Sequence, residues 1–313
     1  MAEHGRIARH FAPLTLREPG SFALTDDAAL LTPPAGCRLV ITTDSVISGI
    51  HVLPNASAEQ IACKLVRRNL SDLAAMGATP WRCFLNLHTP HAMDDAWFTR
   101  FTATLAHEQE QFGMVLAGGD STSGGNHVHA TMTCIGHVAG SALLRSTAAV
   151  GDDVYVSGTI GDAALGLRVL QQQLAADSAS SAFLTQRYHT PQPRLALGEA
   201  LHGIASACMD ISDGLLADAA QLARASGVQI QLTRNAVPLS PAAAALVLQN
   251  TALWPTILGG GDDYELLFTA PTSQRETIAR LHVDVMLTRI GTVVEGDALL
   301  LDGVAAQGGW EHA

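Results

Sequence analysis

The chain has a single lysine, Lys64, among its 313 residues. A mechanism that needs lysine to hold phosphate therefore has one candidate, and Lys64 stands in a helical pattern, IACKLVRRNL, where a solvated or snorkelling side chain is expected. No G-x-x-x-x-G-K-[ST] loop and no V-A-I-K strand occurs, which excludes P-loop and protein-kinase chemistry. Cysteine is scarce: five residues, an odd number with no C-x-x-C pair, argue against a disulfide framework or a zinc knuckle and fit a reducing compartment. No apolar run approaches the roughly 20 residues that cross a bilayer, and MAEHGRIARHFAPL has no apolar signal core, so a cytoplasmic protein without a membrane partner is expected. Basic residues are also few. Lys and Arg total 18 against 29 Asp and Glu, a net charge of −11 that repels a phosphate backbone and excludes nucleic acid as the expected partner. The serines lack a G-x-S-x-G elbow, which speaks against a serine hydrolase.

What is present is aliphatic. Apolar residues make up 48% and aromatics 5%, enough to fold without staples, and the length suggests two domains at roughly 150 residues each. Strand and helix patterns mix throughout, predicting an α/β (α+β type) fold with a boundary that divides 1–147 from 148–313. RLVITT (38–43) reads as a buried strand ending at Asp44. Ser57-x-x-Gln60 is a capping box that opens a helix stopping at Gly77. Trp81, Cys83, Leu85 and Leu87 alternate as a half-buried strand; Asp94 caps a helix to Phe112; Met114 to Ala117 is a short strand entering Gly118-Gly119-Asp120; Val128 to Cys134 alternate again. In the second half, DVYVS (153–157) is a strand before a helix from about Asp162 to Leu174, and 175–186 reads as a surface loop or helix end. Ala207 to Ile211 is a strand, the next helix closes at Gly227, Pro241 to Leu248 is a packed helix, and DYELLFT (263–269) is a strand.

The acids recur beside Gly, Ser or Thr: Thr25-Asp26-Asp27, Thr42-Thr43-Asp44-Ser45, Asn69-Leu70-Ser71-Asp72, Gly118-Gly119-Asp120-Ser121-Thr122, Asp210-Ile211-Ser212-Asp213-Gly214 and Gly260-Gly261-Asp262-Asp263. Each alone reads as a turn or cap, and Asp94 and Asp162 read as caps only. If several met, carboxylates about 4 Å apart would repel by roughly 4 kcal/mol at an effective dielectric near 20, and would need cations. All-oxygen donors of this kind suit Mg²⁺, Mn²⁺ or Ca²⁺. His127, His129 and His137 lack a completing acid or cysteine, so zinc is not expected. If nucleotide binds, metals and Arg145 are left to neutralise its phosphates.

In order along the chain, TDDAALL, ITTDSVISGIH, NLSDLAAMGATP, AGGDST, VGDDVYVSGTIGDAALGL, MDISDGL and GGGDDYELLFT resemble the motif series of the thiamine-monophosphate kinase family, within the superfamily of aminoimidazole ribonucleotide synthetase and selenophosphate synthetase. The resemblance runs from about residue 6 to residue 312. It implies two synthetase-like domains, the first pairing across a homodimer and the second covering the site, and an enzyme using ATP and Mg²⁺ on thiamine monophosphate. It also implies that Asp27, Thr42, Thr43, Asp44, Asp72, Asp120, Asp210 and Asp213 fall on Mg²⁺-binding positions. Gly119, Asp120, Arg145 and Ser212 fall on ATP-contacting positions, and His51, Asp262 and Trp310 where the family binds the thiamine phosphate. Two departures stand out: Thr25 occupies a position that is usually Gly, and Asp262 one that is usually Glu, with shorter reach. Alternatives are a sister ATP-dependent enzyme with another acceptor, or a non-catalytic metal- or small-molecule-binding protein on the same scaffold.

Overall fold

The computed structural model describes residues 3–306, 308 and 309. Contacts divide the chain into two units, Met1–Leu73 with Ala78–Ser141, and Ala74–Gly77 with Ala142–Ala313. Both mix helices with a mixed sheet, as the alternating patterns predict, and the 147/148 division falls in the segment joining the last strand of the first unit to the first of the second.

The first unit opens with a short helix α1 (Glu3–Arg6) and tight turns as far as Leu24. Strands β1 (Arg38–Ile47), β2 (Thr79–Thr89), β3 (Val115–Ser123) and β4 (His129–Val138) form a sheet in the order β1-β4-β2-β3, antiparallel except for the β2–β3 pair. The helices are α2 (Ala58–Ala75) and α3 (Asp95–Phe112). The capping box forms, with Ser57 N–H donating to Gln60 Oε1 at 2.9 Å and Gln60 N–H to Ser57 Oγ at 3.3 Å. Asp94 caps α3 through Trp97 N–H at 2.7 Å.

Opposed residues in neighbouring strands share a face. Thr42 and Asp44 lie opposite Cys134 and Met132, which in turn oppose Cys83 and Leu85. These cysteines, Met132 and Leu85 are buried. On the other face, Ile41 is 62% and Leu39 40% exposed.

Two strand ends differ from expectation. β1 runs past Asp44 to Ile47, because Asp44 is matched by Arg68 and the Ser45 hydroxyl by that of Thr131. β3 runs through Gly118-Gly119-Asp120 to Ser123, since bare glycine backbone lets it continue close beside β2.

In the second unit the strands are β5 (Asp152–Ser157), β6 (Ala207–Asp210), β7 (Gln229–Leu232), β8 (Leu266–Pro271), β9 (Leu287–Val294), β10 (Leu299–Leu301) and β11 (Val304–Ala305), ordered β11-β10-β7-β9-β5-β8-β6. The helices are α4 (Asp162–Leu170), α5 (Ser178–His189), α6 (Leu195–Ala200), α7 (Leu215–Ser226), α8 (Pro241–Gln249), α9 (Trp254–Gly259) and α10 (Arg275–Ala279). All six residues of β5 are buried, as in a strand covered on both faces. Three expectations are corrected here. The polar stretch 175–186 contains most of α5, capped by Asp177 Oδ1 on the N–H groups of Ala179 and Ser180; with only Leu184 and Tyr188 buried, it has almost no apolar stripe to read. The helix from Asp162 stops at Leu170, where Gln171 N–H closes on Leu167 O and Gln172 turns left-handed at φ 58°. Asp263 to Glu265 precede β8 instead of opening it, because Asp262 (φ 64°) and Tyr264 (φ 52°) are left-handed and cannot enter a ladder.

Candidate active site

In the first unit, a cavity of about 370 Å³ lies between the N-terminal turns and strands β2 and β3. Ile7, Phe11, Leu24 and Leu116 give it apolar walls, while Asp26, Asp27, Gly119 and Asp120 bring carboxylates and bare backbone to it. Gly119, opposite Leu85 in the β2–β3 ladder, has φ 150°, and a Cβ there would stand 1.9 Å from Leu85 O. No other residue fits without parting the strands. Asp120 Oδ1 accepts from Ser121 N–H at 2.9 Å, and the buried Ser121 Oγ has no hydrogen-bond partner among the described residues.

On the β1 face turned to α2, Thr42 Oγ1 donates to Asp72 Oδ2 at 2.5 Å, and Arg68 Nε donates to Asp44 Oδ2 at 2.7 Å. Arg68 stands one helical turn before Asp72, so one face of α2 carries a cation for one acid of β1 and an acid for its neighbouring hydroxyl. Thr43 faces the other way, its Oγ1 paired with Thr133 Oγ1 at 3.0 Å. In the turn after β1, Ile47 N–H donates to His51 Nδ1 at 3.2 Å.

In the second unit, β6 ends at the buried Asp210 and the chain turns through Ile211-Ser212-Asp213-Gly214 into α7. Ser212 and Asp213 N–H both donate to Asp218 Oδ2 at 3.0 Å. Burial, then the charges of Asp210 and Asp213, push Asp218 up to about 8, against the pull of those two backbone donors. The loop before β8 is tied to this turn: Asp262 N–H donates to Ser212 O at 2.9 Å and Tyr264 N–H to Ile211 O at 2.8 Å. Asp262 Oδ1 accepts from Tyr264 Oη at 3.0 Å.

Beneath that loop, Glu265 is fully buried between Arg194 (Nη2–Oε1 2.5 Å) and Arg187 (2.8 Å), and accepts from Ser157 Oγ at 2.6 Å. Asp263 takes Gly161 N–H on both oxygens at 2.9 and 3.0 Å, and its burial raises it well above the usual carboxylate range. Asp162 is no cap: it is fully buried, accepts from Thr159 and Ser240 hydroxyls at 2.5 Å each, and is raised by burial. The turn packing that buries it was invisible in its local sequence.

Residues 25–138 match the family described as AIR synthase related protein, N-terminal domain, and residues 149–301 match its C-terminal domain. The thiamine-monophosphate kinase of Salmonella typhimurium is 39% identical over 318 residues, 99% of this chain and 96% of its own length. The chain belongs to the thiamine-monophosphate kinase family. A crystal structure of thiamine-monophosphate kinase from Stenotrophomonas maltophilia superposes with a TM-score of 0.84 at 41% identity, over 90% of this chain and 91% of that one. AaThiL complexed with AMPPCP and TMP superposes at 0.82 and 30% identity, over 95% and 98%.

The family positions thus divide between the units. Asp27, Gly119 and Asp120 share the cavity, while Thr42, Asp44 and Asp72 share the β1–α2 face with Thr43 turned away from it. Asp210, Ser212 and Asp213 share the turn before α7, and Asp262 is bonded to it. Arg145 is exposed and donates to Gln221 Oε1 on α7 at 3.1 Å. Trp310 lies outside the described residues. Lys64 is corrected: it is 1% exposed, neither solvated nor snorkelling, because nearly every position from Ile61 to Leu70 of α2 is buried. Sequence reasoning missed Arg68, Asp218 and the Arg187–Arg194–Glu265 group. Asp218 had a legible signal, an acid in the apolar stripe of LLADAAQL; the arginines had none, since the partner of Arg68 lies 24 residues away and that of Arg187 and Arg194 about 70 to 80.

Proposed function

We propose that the chain is a thiamine-phosphate kinase, transferring the γ-phosphoryl group of ATP to the phosphate of thiamine monophosphate to give thiamine diphosphate and ADP. The observation that carries this reading is the cavity bringing Asp27, Gly119 and Asp120 together, in a chain matching thiamine-monophosphate kinases along its length. An acceptor oxygen attacks the γ-phosphorus in line as the bond to the ADP oxygen breaks. The acceptor is already an anion and needs no strong base, so no residue is assigned as one; the difficulty is bringing two anions together.

The donor set fits Mg²⁺. It consists of carboxylates, hydroxyls and the buried Ser121 Oγ beside Asp120, which has no hydrogen-bond partner among the described residues. Among the described residues no three acids, histidines or cysteines converge on one point. Mg²⁺ is usually held by one or two carboxylates together with phosphates and waters, not by an all-protein cage. Several Mg²⁺ ions would be held by separate groups of these residues: Asp27 and Asp120 at the cavity, Thr42, Asp44 and Asp72 with the neighbouring Thr43 on β1 and α2, and Asp210 and Asp213 at the turn before α7. When bound, Mg²⁺ would offset the charge on donor and acceptor oxygens. Gly119 admits phosphate close to β3, Arg145 and Ser212 contact ATP, and His51, Asp262 and Trp310 contact the thiamine phosphate. Arg68 holds the Asp44 carboxylate in place.

The protein works in the cytoplasm as a homodimer of two-domain chains, 1–147 and 148–313. Among the described residues no helix is long and apolar enough to cross a membrane. The face of the first sheet carrying Ile41 and Leu39, with Ile135 opposite Ile41, supplies the apolar area for a second copy. Mixing the protein with Mg²⁺, ATP and thiamine monophosphate should yield ADP and thiamine diphosphate in equal amounts. Asp44→Asn, Asp72→Asn and Asp120→Asn should each lower kcat by roughly 100-fold or more without unfolding the protein. Near-wild-type turnover in all three would remove the metal-cluster reading.

A further inference from the structure

Asp218 is a buried acid that no assignment above uses. Leu215, Asp218, Ala219 and Leu222 recur at helical spacing on the buried side of α7, so an acid interrupts an otherwise apolar stripe. Alanine would favour the helix more and bury at no polar cost. A carboxyl persists in such a place when it has a task.

The task is visible in its contacts. Oδ2 of Asp218 takes the N–H groups of both Ser212 and Asp213 at 3.0 Å, reaching back beyond the helix start. Ser212 O meanwhile accepts from Asp262 N–H, and Ile211 is held on both sides, its N–H by Glu265 O and its O by Tyr264 N–H. Gly214 (φ 111°) completes the lock, since a Cβ there would stand 2.8 Å from Gly259 C. The carbonyl side of the turn is thus fixed by the loop before β8, and its amide side by one carboxylate oxygen.

We infer that Asp218 is a positioning residue, fixing from beneath the turn that presents Asp210, Ser212 and Asp213 and thereby setting the affinity for Mg²⁺–nucleotide. This rests on the proposed assignment of that turn to metal and ATP. Residues that orient ligands in this way change affinity by roughly 10- to 100-fold when removed.

The test uses the full chain and a fluorescent ATP analogue titrated at several Mg²⁺ concentrations, with stability followed by urea denaturation. Asp218→Leu fills the space without an acceptor, Asp218→Ser is too short to reach both amides and covers the case in which the leucine variant fails to fold, and Asp218→Asn keeps an accepting oxygen. The expected result is nucleotide affinity at least about tenfold weaker in the folded leucine or serine variant, and within about threefold of wild type in Asp218→Asn. Unchanged affinity in the folded leucine or serine variant, or an equal loss in Asp218→Asn, overturns the inference. Asp210→Asn and Asp213→Asn separate the two layers: unchanged affinity in both overturns the assignment of the turn itself, and the inference with it.

Discussion

Replacing Gly119 with alanine tests whether the close approach of β3 to β2 builds the cavity. The added Cβ would lie 1.9 Å from Leu85 O, 2.7 Å from its carbonyl carbon and 2.9 Å from its nitrogen, all backbone atoms of a paired strand. Ordinary contact is roughly 3.5 Å, so the strands must part locally by about 1.5 Å. That strains or breaks one or two ladder hydrogen bonds at about 1 kcal/mol each. Holding a non-glycine residue at φ 150° adds roughly 1 to 3 kcal/mol. The expected loss is about 2 to 5 kcal/mol, a large part of the roughly 5 to 15 kcal/mol that holds a domain together. Gly118→Ala is the internal control: its Cβ would meet the Phe84 ring at 2.9 Å, a side chain that can turn aside, and its φ is not positive, so about 1 kcal/mol is expected. Urea denaturation of both variants, with nucleotide titration of whatever remains folded, gives the comparison. If Gly119→Ala lies within about 1 kcal/mol of wild type and binds nucleotide equally well, the steric account of this turn is wrong.

Two further outcomes follow from buried ionisable side chains. Lys64→Ala should cost about 2 to 4 kcal/mol by emptying a fully buried side chain, and Lys64→Met, which keeps the volume, should recover part of it; a loss below about 1 kcal/mol in the alanine variant would contradict this burial. Asp162 and Asp263, both raised by burial, keep protons in the folded chain that the unfolded chain releases above about pH 4. Their contribution therefore weakens stability as pH rises from there towards their raised values, and Asp263→Asn should flatten the stability–pH curve above about pH 4; an unchanged slope would refute the assignment.

The capping box at Ser57, the Asp94 cap, the glycine stops at Gly77 and Gly227, and the apolar alternation of β2 and β4 were legible because each depends on residues within a turn or two of one another. The motif series likewise sufficed for the family, since it is a property of order along the chain. The α5 helix was not legible, because a helix that buries only Leu184 and Tyr188 carries almost no periodic signal. Nor was the burial of Lys64 and Asp162: burial is decided by what other segments pack against a residue. Local chemistry thus determined caps, strand faces and candidate acids, whereas tertiary structure alone decided which acids share a cavity, which are held by Arg68, Arg187 or Arg194, and which carboxyl supports the turn of Ser212. Pairings such as Arg194 with Glu265 join positions 71 residues apart, and their energy comes from a shared dry environment that no short window of sequence contains.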